Sequence, residues 1–288
     1  MQTLLSACVF LMMFCIGLDF SWRQWRQLLS APKPIYVGIF AQNIITPAVA
    51  FAVAWHFRDT PEIALAIILI VASPGGPVAN ALVHYAGARI DLSLSLTAIN
   101  GLLCLITAPL IADWGFLLVS GRESSLHLPL AQTMGHLFVI ILLPIVIGSS
   151  LNHFIPLFAK RLRVVTRYLT ITLLTGTLLV FFVMNVERIH LNFNQGLIAL
   201  SVFCTLMMAF GLIVSRLCGL NETFSFAIAN EVSVHNVPLA LLMAEGILKR
   251  PDLSGIIVLY VPVIFVIALG GAQLYRYRFG SVLKASGG

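Results

Sequence analysis

Charge is what this chain most lacks. Of its 288 residues only 10% are Asp, Glu, Lys or Arg, against 59% hydrophobic, and the mean hydropathy is +0.99. A soluble domain carries about 25% charged residues, so this chain cannot coat itself for water on all sides. It also lacks the short alternating runs of a transmembrane β-barrel. Cysteine is sparse: Cys8, Cys15, Cys104, Cys204 and Cys218 lie in or beside apolar segments with no CxxC pair, which predicts reduced thiols. There is no HExxH, no GxSxG and no Asp inside an apolar segment, so the reading is not an enzyme. The net charge of +6 is no nucleic-acid footprint, because the basic residues gather in loops between apolar segments. MQTLLSACVFLMMFCIGL has no basic n-region and predicts a retained helix rather than a cleaved signal.

What the chain has is apolar length. Segments near the roughly 20 residues that cross a hydrocarbon core recur throughout. They predict an all-α integral membrane protein in a lipid bilayer. Breaking at charged and Pro/Gly-rich loops gives nine transmembrane helices, at about 3–18, 34–55, 62–88, 91–113, 128–155, 164–184, 195–217, 222–248 and 253–275. With the N-terminus outside, the inner side collects Arg23, Arg26, Lys33, Arg89, Lys160, Arg161, Arg163, Arg167, Arg216, Arg276, Arg278 and Lys284. The outer side keeps Arg58, Arg122, Arg188, Lys249 and Arg250, and the densest cluster, KRLRVVTR at 160–167, falls inside. Basic residues stay cytoplasmic, so the predicted orientation is N-out and C-in.

Two segments carry helix-breaking chemistry in their middles: SPGGPVAN in the third and NEVSVHNVP in the eighth. Proline removes an N–H and clashes with the preceding turn, and paired glycines loosen the helix further. Backbone freed in this way must be satisfied by protein, water or ions. The breaks lie five segments apart, so their helices run in opposite directions, as inverted repeats require. Paired interrupted helices point to a transporter binding site.

Glu231 sits inside the second break, where a carboxylate is costly unless paired, hydrated or ligating a cation. Ser93, Thr97 and Asn100 follow i, i+4, i+7 spacing and share one helix face. A hard cation such as sodium takes hydroxyl, amide and carboxylate oxygens of this kind, although Ser and Thr are also ordinary packing residues in membranes. His235 reads as a structural hydrogen-bonding residue, a proton carrier or part of an ion site. Gln42, beside Asn43 and one turn before Pro47, is equally open. Glu245 reads as hydrated near the outer end, and His84 and Tyr85 as interface residues.

SPGGPVANALVHYAGARIDLSLSLTAIN resembles the PGG-x-x-x-N stretch and following helix of the bile acid:sodium symporter family, and NEVSVHNVPLALLMA resembles its Glu-x-x-x-Gln-Asn crossover. GLDFSWRQWRQLLSAPKPIYVG and QNIITP match the family's first inner loop and next helix. The resemblance implies a single transmembrane transporter domain over 1–288, starting at the second of the family's ten helices. Panel helices would lie at about 3–18, 128–155 and 164–184, and core helices at 34–113 and 195–275. It implies one sodium site from Asn80, Ser93, Thr97 and Glu231, and a second from Glu231, Gln42, His235 and the backbone carbonyls near Val232 and Val234. Substrate would meet Pro77, Val78, Asn80 and Asn236. Three positions depart from the pattern: Ala79 where a hydroxyl is common, His235 for the usual Gln, and Pro77 for Thr.

The function implied is sodium-coupled symport of a small or amphipathic organic anion, bile-acid-like, keto-acid or pantoate-like, across a plasma (bacterial inner) membrane by alternating access. Half-helix N-termini near Val78 and Val237 would face the anion, and the membrane potential would assist sodium. The alternatives are a proton-coupled carrier using Glu231 and His235, and an uncoupled channel or sensor. The oligomeric state stays open.

Overall fold

The structure is a computed structural model and describes residues 2–19, 32–120 and 130–285. Every regular element among them is helical. In chain order these are α1 (Gln2–Asp19), α2 (Lys33–His56), α3 (Pro61–Ala72), α4 (Pro77–Ala86), α5 (Ile90–Ser120) and α6 (Thr133–Phe154). They continue with α7 (Pro156–Met184), α8 (Val186–Leu191), α9 (Phe193–Leu217), α10 (Glu222–Ser233), α11 (Val237–Ile247) and α12 (Ser254–Ala285). Seven of these, α1, α2, α5, α6, α7, α9 and α12, are long and apolar enough to cross a membrane. The chain is an integral membrane protein. The third and eighth predicted segments are each divided, into α3 with α4 and α10 with α11.

Several boundaries differ from the sequence reading. α7 begins at Pro156 and carries the whole basic cluster 160–167 as helix, where residues 160–163 were expected in a loop. Proline suits the first helical position, and Lys and Arg are good helix formers, so the helix runs on past its apolar part. α5 and α12 also outrun their predicted ends, placing Arg276, Arg278 and Lys284 on helix rather than in a loop. Arg23, Arg26 and Arg122, with most of the predicted first inner loop, lie outside the described residues.

α3 is buried on every side from Ile63 to Ala72, which marks it as a helix enclosed by protein rather than lipid. α7 does the opposite, exposing Val164, Val165, Tyr168, Leu179 and Val183. α4 ends at Gly87, whose φ of +74° is the left-handed cap that Gly adopts without strain.

Lipid is as apolar as Leu, so helices in membranes associate through close packing at small residues. α1 and α6 cross at Gly17 and Gly148: a methyl on Gly148 would stand 2.5 Å from the Phe14 carbonyl oxygen. α9 meets α10 at Gly211 in the same way, 2.6 Å from the Ala229 Cα. Gly148→Ala is therefore expected to force the α1–α6 pair apart and destabilise the protein by about 1–3 kcal/mol. A fall in Tm in detergent checks this; an unchanged Tm would mean that the crossing is loose.

Candidate functional site

α3 stops at Ala72 and α4 starts at Pro77, and between them the chain is extended, with Ser73 at φ −93°, ψ 117° and Gly76 at φ −143°, ψ −174°. α10 stops at Ser233, and Val234 and Asn236 are extended before α11 begins. The two breaks meet. Gly75 and His235 form an antiparallel bridge, and the Asn236 N–H donates to the Pro74 carbonyl at 3.0 Å. His235 Nδ1 lies 2.9 Å from the Ser73 carbonyl oxygen. Backbone that each helix gave up is thus satisfied by the other, which is what a water-poor interior demands.

Tyr260 of α12 pins the crossing. Its buried hydroxyl accepts from the His235 N–H at 3.0 Å and donates to the Ser233 carbonyl at 2.6 Å. Tyr260→Phe strands a buried donor and a buried acceptor, so a loss of roughly 2–4 kcal/mol is expected. Thermal unfolding checks this; a variant as stable as wild type would show that the hydroxyl does not hold the breaks.

Beside the crossing, Glu231 is fully buried. Thr97 Oγ1 stands 2.9 and 3.0 Å from its two carboxylate oxygens, and Ser93 Oγ is 3.5 Å from Oε2. The same hydroxyls face Asn80 Oδ1, at 2.6 Å from Ser93 and 3.2 Å from Thr97. Thr97 also reaches the Ser93 carbonyl at 3.0 Å. Two hydroxyl hydrogens thus serve four acceptor oxygens: both of Glu231, Asn80 Oδ1 and the Ser93 carbonyl. Ser93 and Thr97 are the partners of Glu231 among the described residues, so no basic side chain balances its charge there. Oxygens in excess of hydrogens around one buried carboxylate are the kind of ligand that a hard cation takes. A single carboxylate suits a monovalent ion, and among the described residues no three His, Cys, Asp or Glu side chains converge on a metal.

The other predicted residues divide. Pro77, Val78, Val234, His235 and Asn236 line a cavity of about 410 Å³, lined on other sides by Met12 of α1, Leu174 and Phe182 of α7, and Val258 and Phe265 of α12. Asn80 belongs with Glu231 and not with this cavity. Asn236 caps α11, its Oδ1 accepting from the Leu239 N–H at 3.1 Å. Val232 packs its side chain on Gly211. Gln42 is buried in a widened π-helical turn, Ala41–Ile45, and its Oε1 has no hydrogen-bond partner among the described residues. The helix runs on from this turn through Pro47, and Thr46 Oγ1 donates to the Ala41 carbonyl at 2.9 Å.

Sequence reasoning missed Gly75 as the residue that leaves room for the Glu231 carboxylate, Tyr260 as the pin, and Asn230, whose buried side-chain atoms have no partner among the described residues. Asn230 stands beside Glu231 in NEVSVHN, and that adjacency was the available signal. Asn43, noted only as a neighbour of Gln42, donates to Asn100 Oδ1 at 3.1 Å.

The sequence profile of the sodium bile acid symporter family matches residues 6–192. The probable sodium/metabolite cotransporter BASS2, chloroplastic, of Oryza sativa subsp. japonica is 24% identical over 264 residues, 91% of this chain and 61% of that protein. The uncharacterized sodium-dependent transporter YocS of Bacillus subtilis (strain 168) is 28% identical over 82% of this chain and 72% of its own. The human ileal sodium/bile acid cotransporter is 25% identical over 93% of this chain and 75% of its own. The chain spans about 61% of the rice relative's length and about 47% of the mouse P3 protein's.

Proposed function

Because the chain belongs to the sodium bile acid symporter family, we propose that it is a sodium-coupled symporter of an organic anion, working by alternating access. The observation that carries this reading is the acceptor-rich set of Glu231, Asn80, Ser93 and Thr97 packed against two interrupted helices. Sodium as co-substrate would be held by these oxygens and would neutralise Glu231. The anion would occupy the cavity at Pro77, Val78 and Asn236, where the N-terminus of α4 carries partial positive charge. Apolar walls from α1, α7 and α12 favour a carboxylate with an apolar body, of the bile-acid, keto-acid or pantoate kind.

In this reading α1, α6 and α7 form a panel, and α2–α5 with α9–α12 form a core that moves against it. The divided segments count as one span each, giving nine spans related as inverted repeats in a plasma membrane, N-terminus outside and C-terminus in the cytoplasm. The test needs no known substrate. Sodium titrated against choline at constant ionic strength is expected to raise Tm, the rise growing with the logarithm of sodium concentration above the midpoint, because an ion that binds only the folded state stabilises it by mass action. A Tm indifferent to sodium but dependent on pH would overturn sodium coupling in favour of a proton.

A further inference from the structure

We infer that the elbow between α6 and α7 is a binding site for anionic phospholipid, with the headgroup phosphate held by Lys160 and Arg161. The inference stands apart from ion coupling and needs only that the chain spans a bilayer.

α6 ends at Phe154 and α7 begins at Pro156, so Ile155 alone turns the chain between two spans. The stretch KRLRVVTR at 160–167 then puts four basic side chains into eight residues. The fold divides them into two pairs. Arg163 and Arg167 face α1, where the Asp19 carboxylate lies 2.9 Å from Arg163 Nε and 4.0 Å from Arg167 Nη2. Arg163 also donates to the Leu18 carbonyl at the end of α1.

Lys160 and Arg161 lie on the other face. A helix brings i, i+3 and i+4 together, so Leu157, Lys160, Arg161, Val164, Val165 and Tyr168 form one stripe, and all six are exposed. The buried side of the same stretch is Ala159, Thr166 and Thr170. Among the described residues neither Lys160 nor Arg161 has an acidic or hydrogen-bonding partner. Arg89, Arg216 and Arg250, by contrast, each pair with a nearby carboxylate. One acid against four bases leaves this end of α7 strongly positive.

An apolar patch is continuous with these charges. Phe154, Ile155, Leu157 and Phe158 are all exposed at the elbow. Large apolar side chains grouped in this way mark a surface that meets protein or membrane. The position favours membrane, because the same stripe runs on through Val164, Val165 and Tyr168 up the exposed side of a membrane span. Long basic side chains lay their stems along such a surface and place their charge among the headgroups. The sign of the charge then selects the lipid. A guanidinium grips phosphate oxygens in a fork and an ammonium adds a second positive charge. A zwitterionic headgroup already carries its own cation, whereas an anionic one leaves the phosphate to the protein.

The probe is phosphatidylglycerol, compared with phosphatidylcholine of the same acyl chains, added to the purified full chain in neutral detergent. Phosphatidylglycerol is expected to raise Tm with the logarithm of its concentration above a midpoint at which phosphatidylcholine has little effect. Each basic side chain near an anionic headgroup is worth about fivefold in affinity, so Lys160→Ala with Arg161→Ala should raise that midpoint about thirtyfold. Both positions are exposed and alanine favours helix, so the lipid-free Tm should stay at the wild-type value. Equal effects of the two lipids on the wild type would overturn the proposal, and that comparison needs no variant. A folded double variant with the wild-type midpoint would overturn it too, since other groups would then hold the headgroup. So would inorganic phosphate that raised Tm as much as the lipid at equal concentration, the ligand then being a free anion. A lipid-free dimer that Phe158→Ser returned to monomers, read by light scattering, would assign the elbow to a second copy instead and overturn the lipid site.

Discussion

Glu231→Gln is expected to abolish the sodium-dependent rise in Tm at any concentration that stabilises the wild type. The substitution keeps the size of the side chain and removes the only charge in an otherwise neutral set of Ser93, Thr97 and Asn80 oxygens. Attraction between unit charges about 4 Å apart is worth about 4 kcal/mol at an effective dielectric near 20. That corresponds to roughly a thousandfold in affinity at about 1.4 kcal/mol per tenfold. The sign without sodium distinguishes this from general damage. A buried carboxylate with no cation beside it is costly, and the neutral amide relieves that cost. The sodium-free variant should therefore melt at or above the sodium-free wild type, while the two reverse their order at saturating sodium. A variant whose Tm still rose with sodium at the wild-type midpoint would remove Glu231 from the ion site.

Gly75→Ala should be nearly as severe, although Gly75 contributes no side-chain ligand. A methyl there would overlap Glu231 Oε1 and stand 2.7 Å from the carboxyl carbon and 3.2 Å from the Glu231 carbonyl oxygen. The carboxylate must leave Thr97 or the first break must separate from the second. Overpacking of this kind costs about 1–3 kcal/mol. Displacing the carboxylate should raise the sodium midpoint at least about tenfold, given that one good charge-assisted contact is worth about 1.5–3 kcal/mol. The neighbouring Gly76→Ala is the matched comparison. Its backbone is extended at φ −143°, open to any residue, and its new methyl would find its nearest atom at 3.7 Å. Thermal titration of both variants separates a specific clash from a general need for glycine. Equal effects on the sodium midpoint would argue that loop flexibility, rather than the room beside Glu231, is what Gly75 supplies.

These two residues mark where sequence reasoning succeeded and where it stopped. Glu231 was legible because a carboxylate inside an apolar segment has few tolerable explanations. Ser93 and Thr97 were legible because an α-helix places i and i+4 on one face, and they do meet Glu231 and Asn80 together. The breaks at 73–76 and 234–236 were legible because proline and glycine act on their own backbone whatever surrounds them. All three signals are local.

Gly75 gave no such signal, since its role depends on what stands opposite. The same holds for Tyr260, one aromatic among many in apolar helices until the fold brings it under the second break. Gln42 shows the converse. Its pattern left its role open, and the resemblance alone made it an ion ligand; the fold buries it in the widened turn of α2 with its oxygen unpartnered among the described residues. The start of α7 at Pro156 was hidden because hydropathy reports where the bilayer ends, and helices need not end there.

By itself, then, the sequence determined a helical membrane protein, the places where two helices must break, and the side chains able to gather around a cation. Tertiary structure alone decided which break faces which, what lines the cavity, and that His235 turns its proton toward Ser73. The reason lies in the membrane. Apolar faces look alike to lipid and to neighbouring helices, so hydrophobic pattern cannot choose partners. Close approach at Gly17, Gly148 and Gly211, and the need to satisfy every freed backbone group, make that choice instead.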